Sequence, residues 1–274
     1  MPPRLITGAI LAFWLAMTGL LIHREVVPMM LADAAPTYQP DLTDEIGSHT
    51  VVWKVFHDGK RIGSGTSGVV ANIDDRTYEF GSSFHFSEFR LGPANVYSME
   101  SMYRVTEEGK LLAFSTKSEV GFGDMSTLKV GIEGDVVNGV CVPRVLLNNT
   151  IHPLDQIDLP QQGSIVNPMH LVNRLRKLRV GQTWRITMVD PLRGVTNKFM
   201  GDFGKGMTIS ALIAEVKTDT LKWDRKEVLC YTIEYREPGK EISARTWVRK
   251  SDGLVLQQEA NHLGFDMVLK RVPT

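Results

Sequence analysis

From Ser48 onward, apolar and polar side chains alternate with a period of two, and little else survives that constraint. A strand turns successive side chains to opposite faces, so this pattern marks a sheet with one buried face. Val51, Trp53 and Val55 alternate, and Asp58-Gly59 then supplies a two-residue hairpin turn. The next such run is the most apolar. Tyr78, Phe80, Phe84 and Phe86 share one face of one strand, with Ser82 between them. Glu79, Gly81, Ser83, His85 and Ser87 take the other face. Tyr97, Met99, Tyr103 and Val105 continue the style, as do Leu112, Phe114 and Thr116 after a turn at Glu108-Gly109. Leu128, Val130 and Ile132 precede a turn expected at Glu133-Gly134-Asp135, and Val136 to Leu147 is the following strand.

One stretch breaks the pattern. Asn167 suits an N-cap, Pro168 suits the first helical position, and Leu171, Val172, Leu175 and Leu178 recur at helical spacing before Gly181. The spacing predicts one helix over Pro168–Arg179, covering part of the apolar face. Strands then resume at Trp184, Thr208–Val216, Val228–Tyr235, Ile242–Val248, Leu254–Gln258 and Phe265–Leu269, with turns at Asp252-Gly253 and Leu263-Gly264. Many short strands without strand–helix alternation predict a mainly β fold. The expected architecture is a strongly curved antiparallel sheet, a half-barrel or open barrel, with one covering helix.

Before the sheet the chain is uncharged from Leu5 to Ile22. As a helix this run is about 27 Å long, near the thickness of a bilayer's hydrocarbon core. It predicts an N-terminal transmembrane helix. After Arg24 no Lys or Arg appears until Lys54, so the charge asymmetry places the N-terminus in the cytoplasm and the rest outside it. The small-residue site Ala32-Asp33-Ala34 stands well beyond the apolar run, which favours an uncleaved anchor over a signal peptide. Residues 1–27 are thus an anchor with short flanks, 28–47 a proline-bearing linker, and 48–274 an extracytoplasmic β-rich domain.

Chemistry-bearing motifs are sparse. Basic and acidic residues balance at 31 each, which offers no field for nucleic acid. Gly63-Ser64-Gly65-Thr66-Ser67-Gly68 spells G-x-G-x-x-G, yet β-rich Val69-Val70-Ala71 follows where a nucleotide site needs a helix. Those glycines predict close strand approach, and no nucleotide is expected. Gly201-Asp202-Phe203-Gly204-Lys205-Gly206 lacks Walker spacing and reads as a hairpin loop. The seven histidines form no HxH or HExxH, and there is no CxxC, so no metal and no other cofactor is expected. With no G-x-S-x-G and no distinguished acid–base pair, no catalytic residue is expected either, and the chain reads as non-enzymatic. Cys141 and Cys230 lie in apolar runs; they fit two buried thiols or, in an oxidising compartment, a disulfide. Arg174, Arg176, Lys177 and Arg179 form a basic cluster that fits a solvated face or contact with anionic headgroups. The aromatic face Tyr78, Phe80, Phe84 and Phe86 fits core packing or a cleft for an acyl chain.

Three segments together resemble a known group. Gly59-Lys60-Arg61-Ile62-Gly63, then Leu178-Arg179-Val180-Gly181-Gln182-Thr183-Trp184, then the run from Trp247 to Glu259 occur in that order. Over roughly 48–271 the chain is similar to uncharacterised bacterial envelope proteins with a LolA-like β half-barrel. That resemblance implies an envelope domain binding lipid or lipoprotein acyl chains, on the periplasmic side. An uncleaved anchor departs from the soluble carriers and implies a tethered binder or assembly factor. The expected function is therefore binding of an apolar ligand or a partner protein; the alternative is a structural module of an envelope complex with a packed core and no ligand.

Overall fold

The computed structural model describes residues 13–14, 16–20, 50–72, 74–91, 94–106, 110–122, 127–148, 150–158, 173–190, 208–262 and 265–273. Its β1 (Val51–His57), β2 (Lys60–Asn72), β3 (Thr77–Phe86), β4 (Arg90–Leu91), β5 (Ala94–Thr106), β6 (Leu111–Phe122), β7 (Leu128–Val137), β8 (Val140–Leu147), β9 (Thr150–Pro153) and β10 (Ile157–Asp158) form the first half. The second half is β11 (Thr183–Asp190), β12 (Thr208–Trp223), β13 (Lys226–Arg236), β14 (Ile242–Arg249), β15 (Val255–His262) and β16 (Phe265–Arg271). These sixteen strands of the described residues belong to one open antiparallel sheet, ordered β10-β8-β7-β6-β5-β3-β2-β1-β16-β15-β14-β13-β12-β11, with β4 on β5 and β9 on β8. Each half is a meander of neighbours in sequence. The halves join where β16 pairs with β1, Val55 facing Leu269. The other strand-to-strand pairings on this path join near neighbours in sequence, but this seam closes a loop of about the whole domain and carries the largest chain-entropy cost.

Two-residue turns set the register of three hairpins. Asp58-Gly59 (φ 47° and 74°) joins β1 to β2, and Asn138-Gly139 (φ 53° and 80°) joins β7 to β8. Asp224-Arg225 (φ 49° and 62°) joins β12 to β13. Positive φ at both central residues is the type I′ geometry, which matches the right-handed twist of the flanking strands. The turn expected at Glu133-Gly134-Asp135 is a correction: those residues lie inside β7, and the chain reverses at Asn138-Gly139 instead. Gly134 is needed for another reason. A Cβ there would come within 2.6 Å of the Phe114 ring on β6.

The helix expected over Pro168–Arg179 is corrected over its described residues. From Asn173 to Arg179 the chain is not helical. Leu175 N–H donates to the Gly253 carbonyl (2.8 Å), Val255 N–H donates to the Asn173 carbonyl (3.0 Å), and Arg174 bridges Leu254. Backbone groups committed to the β14–β15 turn are not free for a helical ladder, and Lys177 at φ 62° sits in the left-handed region. The covering role survives without the helix, because Leu175 and Leu178 are buried in the main core. Residues 168–172 lie outside the described residues, as do the linker 28–47, the turns at 108–109 and 263–264, and the glycine-rich piece 201–206. Of the span from Leu5 to Ile22, only residues 13–14 and 16–20 are described; they are helical and expose Phe13, Trp14, Met17 and Leu20. Among the described residues, no helix is long and apolar enough to cross a membrane.

The main core spans the seam. Trp53, Val55, Phe80 and Phe84 of the first half share one cluster with Leu212, Ile233, Val248 and Leu269 of the second. A smaller cluster of Leu111, Phe114, Ile132, Cys141 and Val145 continues the same side of the sheet toward β8. We call this the core side and the opposite one the outer side.

Candidate functional site

The register places Tyr78, Phe80, Phe84 and Phe86 on the core side, opposite Ala71, Val69, Gly65 and Gly63 of β2. All four are buried, from 3% exposed at Phe84 to 7% at Tyr78 and Phe86. Phe84 stacks near Phe86 (6.2 Å between centroids), which in turn meets Phe89 (4.9 Å). The glycines of the G-x-G-x-x-G segment explain the fit. A Cβ on Gly65 would come within 2.3 Å of the Phe84 ring, so that ring lies across bare backbone. Gly68 has nothing within 4 Å and faces outward opposite Gly81. The segment is thus a packing device inside β2, with no helix following it. These four aromatics are buried members of the main core cluster.

Solvent reaches the core side one strand further on. Met99, Ser101, Tyr103 and Val105 of β5 face inward, yet each is only half-buried, as are Ser82 of β3 and Ser118 and Val120 of β6. A bulge at Tyr97 in β5 keeps Val96 and Met99 on one side. Tyr97, read at first as part of the alternating row, is exposed and lies over Gly121.

A row of hydroxyls crosses this region. Ser67 faces Ser82, Ser82 faces Ser101, and Ser101 faces Thr116, on four neighbouring strands. At roughly 4.8 Å per strand, the row spans roughly 14 Å. Trp53 Nε1 donates to Ser67 Oγ (2.9 Å), closing one end, and Ser101 Oγ donates to Thr116 Oγ1 (3.3 Å) near the other. Between them the Ser82 hydroxyl makes no hydrogen bond among the described residues. Larger side chains flank the row: Phe84 and Met99 on one side, Phe80, Tyr103 and Phe114 on the other.

Charge is segregated. The core side of β3, β5, β6 and β7 carries no Asp, Glu, Lys, Arg or His among the described residues. The outer side of the same strands carries Glu79, Glu100, Arg104, Lys117, Glu119 and Lys129. In the second half the outer side holds an ion-pair ladder. Lys217 Nζ and Arg245 Nε reach Glu234 at 2.6 Å and 3.3 Å, and Arg236 reaches Glu215 at 2.9 Å. Burial pushes the Glu234 carboxyl up, but the hydrogen bond and charge of Lys217, with Arg245, outweigh it and hold the group below its usual range. Arg249 grips Asp252 with two bonds (2.9 Å and 2.7 Å) and lowers that carboxyl too.

The two thiols do not meet. Cys141 on β8 and Cys230 on β13 are free, fully buried, and sit in different clusters, so the structure contains no disulfide between them. Desolvation pushes the Cys141 thiol up to about 11 and raises that of Cys230, which leaves neither poised as a nucleophile. Among the described residues, no group of three or more His, Cys, Asp or Glu could hold a metal ion.

Sequence reasoning singled out the aromatic strand but missed its half-exposed neighbour. Its one available signal was the run of small hydroxyl residues, Ser82, Ser101 and Thr116, at positions where the alternation called for apolar side chains.

No family model matches this chain, and no curated protein matches it. Among solved structures it is similar to a beta-barrel-like protein of the domain of unknown function DUF1849 from Brucella abortus. The two are 12% identical, the likeness covers 82% of this chain and 95% of that one, and the TM-score is 0.44.

Proposed function

We propose that this protein is a non-enzymatic binder of an apolar ligand, a lipid or acyl chain, tethered in the bacterial envelope by its N-terminal apolar segment. On this reading the sheet curls about its core side as a half-barrel, with the domain on the periplasmic side of the membrane. The observation that carries the reading is the part-exposed, uncharged strip of Met99, Ser101, Tyr103 and Val105 beside the buried aromatics of β3. Covering that strip removes apolar surface from water, and each ligand methylene buried against it contributes about 0.8 kcal/mol. An eight-methylene contact therefore supports binding without any charged anchor. The exposed Phe13, Trp14, Met17 and Leu20 of the N-terminal helical residues support the tether, since bilayer lipid is a medium that accommodates them.

Burial of Tyr78, Phe80, Phe84 and Phe86 favours a second reading, an interaction module whose core is complete without ligand. Native mass spectrometry of the full chain, purified in detergent and released in the gas phase, separates the two. Retained lipid adducts on the wild type that are lost when Met99→Gln and Tyr103→Gln are combined support the first. A protein without adducts, whatever the detergent, supports the second.

A further inference from the structure

We propose that the hydroxyl row recognises the ester carbonyls of a diacyl glycerolipid, with Ser82 and Ser101 as the donors. This deepens the ligand-binding reading above and rests on it.

Three features select this chemistry. First, the row is polar but neutral, and so is the whole core side around it among the described residues. A fatty-acid carboxylate or a phosphate held there under a covering acyl chain would be partly desolvated with no countercharge, which is unfavourable. A neutral acceptor carries no such cost. Second, Ser82 has a hydroxyl with no hydrogen bond among the described residues, at the middle of the row and half-open to solvent. Its two neighbours in the row are already engaged, Ser67 by Trp53 and Ser101 by Thr116. The Ser101 hydroxyl turns by rotating about one bond, at the cost of a long 3.3 Å contact. Third, the two flanks differ. Beyond Tyr103 lie Val105, Leu111 and Phe114, leading into the apolar cluster toward β8. Across from Met99 on β6 lies Ser118, a half-buried hydroxyl with no hydrogen bond among the described residues, and past this pair lie Val96 and Val120. A lipid placed with its acyl chains over Tyr103 and Val105 and its glycerol end toward Met99 meets apolar surface under its chains and one further hydroxyl, Ser118, under its glycerol. The phosphate then lies outside the row, beyond its uncharged floor.

The test compares ester with ether. The full chain in detergent micelles is offered a diacyl phosphatidylglycerol or the diether phosphatidylglycerol with the same chains, and bound lipid is counted by native mass spectrometry. The ether keeps the chains and headgroup but lacks the carbonyls. The expected result is a preference for the ester of roughly fivefold per hydroxyl contact. Ser82→Ala combined with Ser101→Ala should bring the two lipids to equal binding. Ser83→Ala, on the outer side opposite Glu100, should keep the preference. Equal binding of ester and ether by the wild type overturns this inference and leaves the ligand-binding reading standing. Binding of neither lipid overturns both.

Discussion

The Gly65→Ala substitution isolates how the aromatic core is built. A Cβ at this position would stand 2.3 Å from Cδ1 and 2.6 Å from Cε1 of Phe84, and 2.8 Å from the Ser83 carbonyl oxygen. Comfortable carbon–carbon separations are about 3.5–4.0 Å, so the ring must retreat by more than about 1 Å. Phe84 is 3% exposed and stacked near Phe86, so there is little space to receive it. Overpacking of this kind costs about 1–3 kcal/mol. Gly68, three residues along the same strand, has nothing within 4 Å and no positive φ. Alanine there limits the unfolded chain and contributes about 0.4–1 kcal/mol of stability. In a domain of this size about 1 kcal/mol moves the melting temperature by roughly 2–4 °C. Thermal unfolding followed by circular dichroism should therefore show Gly65→Ala melting about 2–12 °C below wild type and Gly68→Ala at or above it. Phe84→Leu provides the internal check: if ring and Cβ collide, the double variant is less destabilised than the two single changes added together. Equal melting of Gly65→Ala and Gly68→Ala, or strict additivity with Phe84→Leu, would refute the packing role of this glycine.

Two further outcomes follow from the charges and thiols. Glu234 and Asp252 titrate below their ordinary values, so each contributes stability that is present above the unfolded carboxylate pKa, about 4. That contribution is lost as pH falls through the lower folded value; denaturant midpoints should drop below pH about 4, and Glu234→Gln should flatten that drop while lowering stability at pH 7. The buried Cys141 and Cys230 should resist a disulfide-exchange reagent at pH 8 in the native protein and both react after denaturation; rapid native labelling of both would contradict their placement.

The parts of the fold that were legible in the sequence are those decided within a few residues. Alternation in β1 and β3 identified the buried face correctly, and Asp58-Gly59 identified a hairpin, because strand pleat and turn geometry are local. Gly134 misled because a glycine inside a strand and a glycine in a turn look alike until the ring that crosses it, Phe114, is known. Leu175 and Leu178 misled for a similar reason. Their spacing suits a helix, but the backbone leading into them is held some eighty residues away, Leu175 by Gly253 and Asn173 by Val255. The candidate site depended on the same long-range information. Whether Phe84 or Met99 faces solvent is set by what covers each strand, and the β1–β16 seam that organises this cover leaves no mark on either strand's sequence.

Site-specific photocrosslinking in cells tests the central claim most directly. A benzophenone amino acid replaces Tyr103 on the half-exposed core-side strip, Glu100 on the outer side of the same strand, or Phe80 in the packed core. Irradiation of the full chain, followed by intact-mass analysis, reads what each position touches. The account predicts a lipid-sized adduct at position 103 and none at 100 or 80. A protein adduct at 103, or no adduct there while the chain remains folded, would contradict it.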